Sequence, residues 1–235
     1  ASAEAAALSR ALHFAGEPVE ARVRFSNGSG VPTAPDGEVD GRGMAVTFSL
    51  PDGTATDIVA LTLPVFFVRT PEDFLEFTRA RKPDPETGQP DFAKVGAFLE
   101  AHPETLPAVQ AALGAPAPSS YLGCTYFGLH AFRLVAADGA GTWAGWVLEP
   151  DAAGSGLSPE EAGSRDASYL QEDLAARLAS GAAGFTLVAV VAEDGDPVDD
   201  PTAMWPEDRR RVTMGRLEIT GLAFDREVDG DILVF

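Results

Sequence analysis

The sequence predicts an α+β protein whose centre is an antiparallel β-barrel with helical insertions. Three observations point there. Segments with a two-residue apolar repeat are numerous, tight-turn sequences join several of them directly, and the helical segments gather in blocks between strands. A parallel sheet would instead alternate strand, helix and strand. At 235 residues the chain is long enough for one domain with a large core.

The first segment, "AEAAALSRALHF" (3–14), combines strong helix formers with an apolar repeat and is expected to be a short helix. From Val19 the period changes to two. Val19, Ala21, Val23 and Phe25 fall on one face, and Glu20, Arg22, Arg24 and Ser26 on the other. A guanidinium and a hydroxyl side by side on an otherwise core-like strand are the first hint of a site. "NGSGVPTAPDGEVDG" then supplies the Gly, Pro, Asn and Asp of a long turn.

"RGMAVTFSL" (42–50), "TATDIVALTL" (54–63) and "PVFFV" (64–68) are β-branched and aromatic and are expected as strands, with "PDG" turning between the first two. "TPEDFLEFTRAR" starts a helix: Thr70 can cap it, Pro71 suits its first position, and Glu72 and Asp73 favour its dipole. "DFAKVGAFLEAH" and "PETLPAVQAAL" continue the helical block. "YLGCTYFGLHAFRLVA" and "GTWAGWVLEP" form two long strands around "ADGAG". "SPEEAGSRDASYLQEDLAARLASG" holds one or two helices behind a Ser158–Glu161 capping pattern, and "GFTLVAVVAED" and "RVTMGRLEITGLAF" are strands around an acidic loop containing "MWPED".

Composition excludes several classes. A formal charge of −19, from 17 basic and 36 acidic residues, argues against nucleic acid as a partner, and the one basic run, Arg209 to Arg211, follows two acidic residues. No window suits a membrane span, and Ala1 to Ala7 lacks the pattern of a signal peptide. Cys124 is the single cysteine, so no internal disulfide forms and a cytoplasmic location is the expectation. His13, His102 and His130 sit in unrelated contexts, so no metal site is expected; the acidic loops do not match a calcium loop, and "NGSGVPTAPDG" does not match a phosphate cradle. The chain begins without Met and stops on the apolar run "DILVF", which suggests a portion of a longer polypeptide.

Five blocks carry a resemblance. "VRFSNGSG", "DGRGMAVTF" with "PDGTATDIVAL", "PVFFVRTPEDFLEF", "YFGLHAFRLVAADGAGTW" and "MWPED" follow one another as in the haem catalase superfamily, and the chain looks most like its catalase-related peroxidase branch. The match runs from about Pro18 to Phe235. The resemblance implies a catalase-type barrel and a haem cofactor whose propionate pairs with Arg24, while Ser26 orients a distal histidine. It also implies that Val59, Phe66 and Phe74 form an apolar wall, that His130 lies near the haem edge and that Phe235 precedes the haem-binding helix. Arg24 and Ser26 are then expected to point into the barrel cavity together with Val59, Phe66 and Phe74.

The same resemblance marks departures. The family's distal histidine lies upstream of Arg24 and its proximal tyrosine beyond Phe235, so residues 1–235 are expected to be a single barrel domain lacking both segments, with no catalytic residue of its own. Tyr121, Tyr126 and Tyr169 stand in other contexts than the iron ligand, and Leu61-Thr62 occupies the place of the family's distal asparagine. Two readings follow: a haem peroxidase acting on hydrogen peroxide or organic hydroperoxides with an unknown reductant, or a haem-free barrel holding an apolar small molecule. A second copy of the chain is a further candidate partner.

Overall fold

The computed structural model describes residues 1–29, 31 and 33–223. Helix α1 (Ala3–Leu8) and a 3-10 turn (Leu12–Phe14) lead into strands β1 (Glu20–Asn27), β2 (Arg42–Ser49) and β3 (Ala55–Leu61). A helical block follows, α2 (Pro71–Ala80), α3 (Phe92–Ala101) and α4 (Leu106–Gly114). Then come the short β4 (Ala117–Pro118), the hairpin strands β5 (Tyr126–Val135) and β6 (Gly141–Pro150), and the short β7 (Gly156–Leu157). Helices α5 (Pro159–Gly163) and α6 (Tyr169–Ser180) precede β8 (Ala183–Val191) and β9 (Arg211–Ile219).

Seven strands make one antiparallel sheet in the order β1-β2-β3-β5-β6-β8-β9, and β4 pairs with β7 separately. The two halves of the large sheet meet through a single register pair, Leu61 with Phe127. The sheet curls into a half-barrel around one core, in which Met44 and Val46 of β2, Ile58 of β3, Trp146 and Leu148 of β6, Leu187 of β8 and Met214 of β9 are all buried. Phe25 joins them from β1, its ring 5.4 Å from Tyr121, 5.9 Å from Tyr126 and 6.2 Å from Phe185. Burying each such large side chain contributes about 1.5–3 kcal/mol, which explains why this face of the strands carries the fold.

Local chemistry sets the boundaries. Thr70 accepts the Asp73 amide at the start of α2, and Ser158 and Glu161 close a reciprocal capping box at α5. Gly139, at φ 88°, supplies the left-handed residue of the β5–β6 turn that a side chain would resist. Among the described residues, no helix is long and apolar enough to cross a membrane.

Four expectations are corrected. The helix expected over 3–14 ends at Leu8, because Ser9 is extended and Arg10 gives its amide to the Val135 carbonyl at 2.8 Å. "PVFFV" is not a strand: Pro64 removes a donor, among the described residues no strand pairs with it, and its aromatic rings pack on helices. The strand expected from Tyr121 begins at Tyr126 after a 3-10 turn, and its register shifts between Gly128 and Ala131. Lastly, Arg24 and Ser26 do not enter the barrel. The alternation puts Val23 and Phe25 into the packed interior, so Arg24 and Ser26 face outward, away from that core.

Candidate functional site

The outward face of β1, β2 and β3 is built by register. Arg24 stands opposite Ala45, and Ala45 opposite Val59, so these three share one side of the sheet. The next row on that side is Ser26, Gly43 and Leu61, which continues to Phe127 on β5. Small residues line the middle strand. A Cβ on Gly43 would stand 2.6 Å from the Ser26 hydroxyl oxygen, so glycine is what lets that oxygen lie over β2. Val59 is 56% exposed, an unusual state for a valine in the middle of a sheet. Arg24 is exposed beside it.

Phe66 and Phe74 meet as parallel rings, 6.3 Å apart with 4° between their planes. Phe67 bridges them to the helical block, 5.6 Å from Phe74 and 4.6 Å from Phe77. Phe74 remains 45% exposed at the edge of that cluster, although Val65 and Val68 beside it are buried. These rings and the Arg24–Ala45–Val59 row are the two groupings the structure makes from the residues singled out in the sequence. His130 belongs to neither. It is exposed in the β5 irregularity and lines a cleft of about 440 Å³ with Phe127, Met204, Trp205 and Pro206. Phe235 lies outside the described residues.

Sequence reasoning missed a buried polar network behind Ser26. Arg42 is 1% exposed, and its Nη2 donates to the carbonyls of Asp36 at 2.6 Å and Glu38 at 2.9 Å. The Asp36 carboxylate, also buried, accepts from Asn27 Nδ2 at 2.7 Å and from the Leu170 amide at 2.8 Å. The connection between β1 and β2 is thus tied both to the end of β1, next to Ser26, and to α6. "APDG" carries the signal of a turn, and nothing in it says that its aspartate is swallowed by a helix N-terminus more than a hundred residues away.

The tyrosines are engaged elsewhere. Tyr121 donates to Asn27 Oδ1 at 2.8 Å, Tyr126 to the Tyr121 carbonyl at 2.9 Å and Tyr169 to the Pro118 carbonyl at 2.6 Å. Burial, with Asp36 nearby, pushes Tyr121 up to about 12, and burial pushes Tyr126 well above the usual phenol range. A phenolate is therefore disfavoured at both. Burial also raises the Cys124 thiol, which argues against a reactive thiolate.

Nothing observed supports the haem-free alternative: Met44, Val46, Ile58, Tyr126, Leu148 and Phe185 fill the barrel centre, none more than 5% exposed.

The chain matches the family model "Catalase" over residues 2–224. It is 40% identical to a catalase-related peroxidase of Mycolicibacterium paratuberculosis, in a match covering all of this chain and 74% of the relative. A catalase-related peroxidase of Synechococcus elongatus is 34% identical over 94% of this chain and 65% of its own length. Among solved structures, a fungal catalase superposes with a TM-score of 0.83 over 94% of this chain at 24% identity, and a bacterial catalase with 0.82 over 92% at 23%. The chain spans 47% and 44% of those two catalases. With a family match along nearly its whole length and catalase-related peroxidases among its relatives, the chain belongs to the catalase family.

Proposed function

We propose that this chain is the barrel portion of a haem-dependent, catalase-related peroxidase, a single domain whose distal histidine and proximal tyrosine lie on sequence outside residues 1–235. The observation that carries the reading is the outward row of Arg24, Ala45 and Val59. It combines a guanidinium at one end, a small side chain in the middle and an exposed apolar residue at the other. A flat apolar group with carboxylates at its rim suits that surface: the low middle strand lets a plane approach, and the guanidinium fork matches a carboxylate. The residues present therefore fit haem.

In this reading Arg24 binds a propionate, and Val59, Phe66 and Phe74 exclude water from the plane. Bound haem would supply the iron-centred redox chemistry that cleaves the peroxide oxygen–oxygen bond. Ser26, held over Gly43, offers its hydroxyl to orient an imidazole arriving from upstream sequence. His130 would stand at the rim near the Phe127 end of the face, and Phe235 would lead toward the haem-binding segment. Leu61, in the Ser26 row, gives the peroxide side an apolar surface in place of an amide. This favours organic hydroperoxides, with a reductant as second substrate, over rapid disproportionation of hydrogen peroxide. The acidic charge and the half-buried single Cys124 suit a cytoplasmic setting without nucleic-acid partners.

The test is haemin titration of the chain extended to the length of its relatives, compared with Arg24→Ala. Loss of one charge-assisted contact of about 1.5–3 kcal/mol should weaken haem retention by roughly 10- to 150-fold. Unchanged retention would overturn the assignment of Arg24.

A further inference from the structure

Phe66 sits on residues 64–68, a bent segment between β3 and α2 that belongs to no strand. Its backbone is fastened from outside. The Thr105 hydroxyl donates to the Phe67 carbonyl at 2.7 Å, and the Phe66 amide donates to the Pro201 carbonyl at 2.8 Å. Pro201 lies in the connection between β8 and β9, far from Phe66 in sequence. The position of Phe66 therefore depends on where that connection offers one carbonyl.

Asp200 governs that point. One carboxylate oxygen accepts both the Thr202 amide at 3.0 Å and the Thr202 hydroxyl at 2.6 Å, closing an Asx-type turn with Pro201 at its centre. The other oxygen lies 3.2 Å from Arg69 Nε, and Arg69 directly follows the segment being held. Thr202 is only 6% exposed, so the turn is packed in place. The ion pair joins an Arg69 side chain that is 52% exposed, and such pairs contribute little alone. The two bonds to Thr202 are thus the ones that fix the carbonyl.

We propose that Asp200 is a positioning residue: by shaping the turn around Pro201 it sets Phe66, and with it the Phe66–Phe74 ring pair, as a wall of the haem site. The inference rests on the haem reading for the purpose of that wall, and adds to it a residue that touches no ligand. It also separates two substitutions. Asparagine keeps an oxygen that can accept both Thr202 bonds, whereas alanine removes them.

Two measurements test it. The first is amide hydrogen exchange on the chain without haem. Asp200→Ala should speed exchange at the Phe66 amide by about tenfold or more while amides of β6 and β8 keep their protection, and Asp200→Asn should stay within about threefold of the parent. Should Asp200→Ala not fold, Thr202→Val removes one of the two bonds and should give about a threefold effect at Phe66. An unaltered Phe66 amide in the folded variant, or faster exchange spread equally over β6 and β8, would overturn the inference and leave the haem reading standing. The second is the haem absorption spectrum of the extended chain. Asp200→Ala should shift or broaden the Soret band, and Asp200→Asn should restore it. Identical spectra in all three proteins would overturn the link between Asp200 and the haem wall. A parent that binds no haem would defeat the functional reading, while the exchange result would still decide whether Asp200 positions Phe66.

Discussion

The two faces of β1, β2 and β3 are made from alternate residues of the same strands, yet they have opposite fates. Inward, Met44, Val46, Ile58 and Ala60 are each 5% exposed or less and share one core with Phe185 and Trp146. Outward, Val59 is more than half exposed, and Arg24, on the same side of the sheet, is exposed as well. Burial satisfies these inward residues of β2 and β3, whereas outward it covers Ala45 and leaves Val59 as exposed apolar area. The inward face is where stability is encoded, and the outward face is where a ligand or a further segment of the protein has something to gain.

Substitutions can break or sharpen that contrast. Phe185→Ala, on the inward side, should cost about 3–5 kcal/mol in urea unfolding, because it removes a fully buried ring from a close-packed interior. Val59→Ala, on the outward side, should move the unfolding midpoint far less, as expected of a side chain that is 56% exposed. Equal losses at the two positions would dissolve the distinction. Gly43→Ala tests the outward face at its closest contact. The new methyl would meet the Ser26 hydroxyl, the movable end of a short side chain, so the cost should be about 1 kcal/mol or less as that rotamer shifts, and Ser26→Ala in the same chain should recover it.

A smaller effect belongs to His13, which joins the inward side, its ring stacked 5.1 Å from Phe48 and tilted against Phe14 at 4.0 Å. Burial lowers its pKa, so the unfolded chain binds a proton more readily than the folded one. Its contribution is complete above the unfolded value near 6.5 and falls as pH drops toward the lower folded value. Thermal midpoints measured from pH 7.5 down to 5 should decline, and His13→Gln should flatten that slope. A parent whose slope matches the variant's would remove His13 from the account.

How far the sequence carried this picture depends on what decides each element. The β5–β6 hairpin was legible because alternation and "ADGAG" agree, and α2 because Thr70, Pro71, Glu72 and Asp73 all favour the same start. "PVFFV" misled, since aromatic β-propensity measures packing as much as pairing, and here Phe67 and Phe77 meet across a loop and a helix. Strand alternation revealed that Arg24 and Phe25 face opposite ways. It could not say which side closes on itself, because that depends on the curl of the whole sheet. The Asp36–Arg42 network and the hold of Pro201 on Phe66 were invisible for a related reason: each joins residues whose local sequence already has a sufficient explanation as a turn or a loop.

The central claim is that the outward face of β1–β3, and not the barrel interior, receives haem. Methyl resonances of Ala45 and Val59 report one face, and those of Val46 and Ile58 the other. Haemin added to the chain extended to the length of its relatives should broaden the first pair beyond detection, because a paramagnetic iron acts steeply with distance, while the second pair stays visible. Loss of Val46 and Ile58 with Ala45 and Val59 intact, or no difference between the pairs at saturating haemin, would contradict the account.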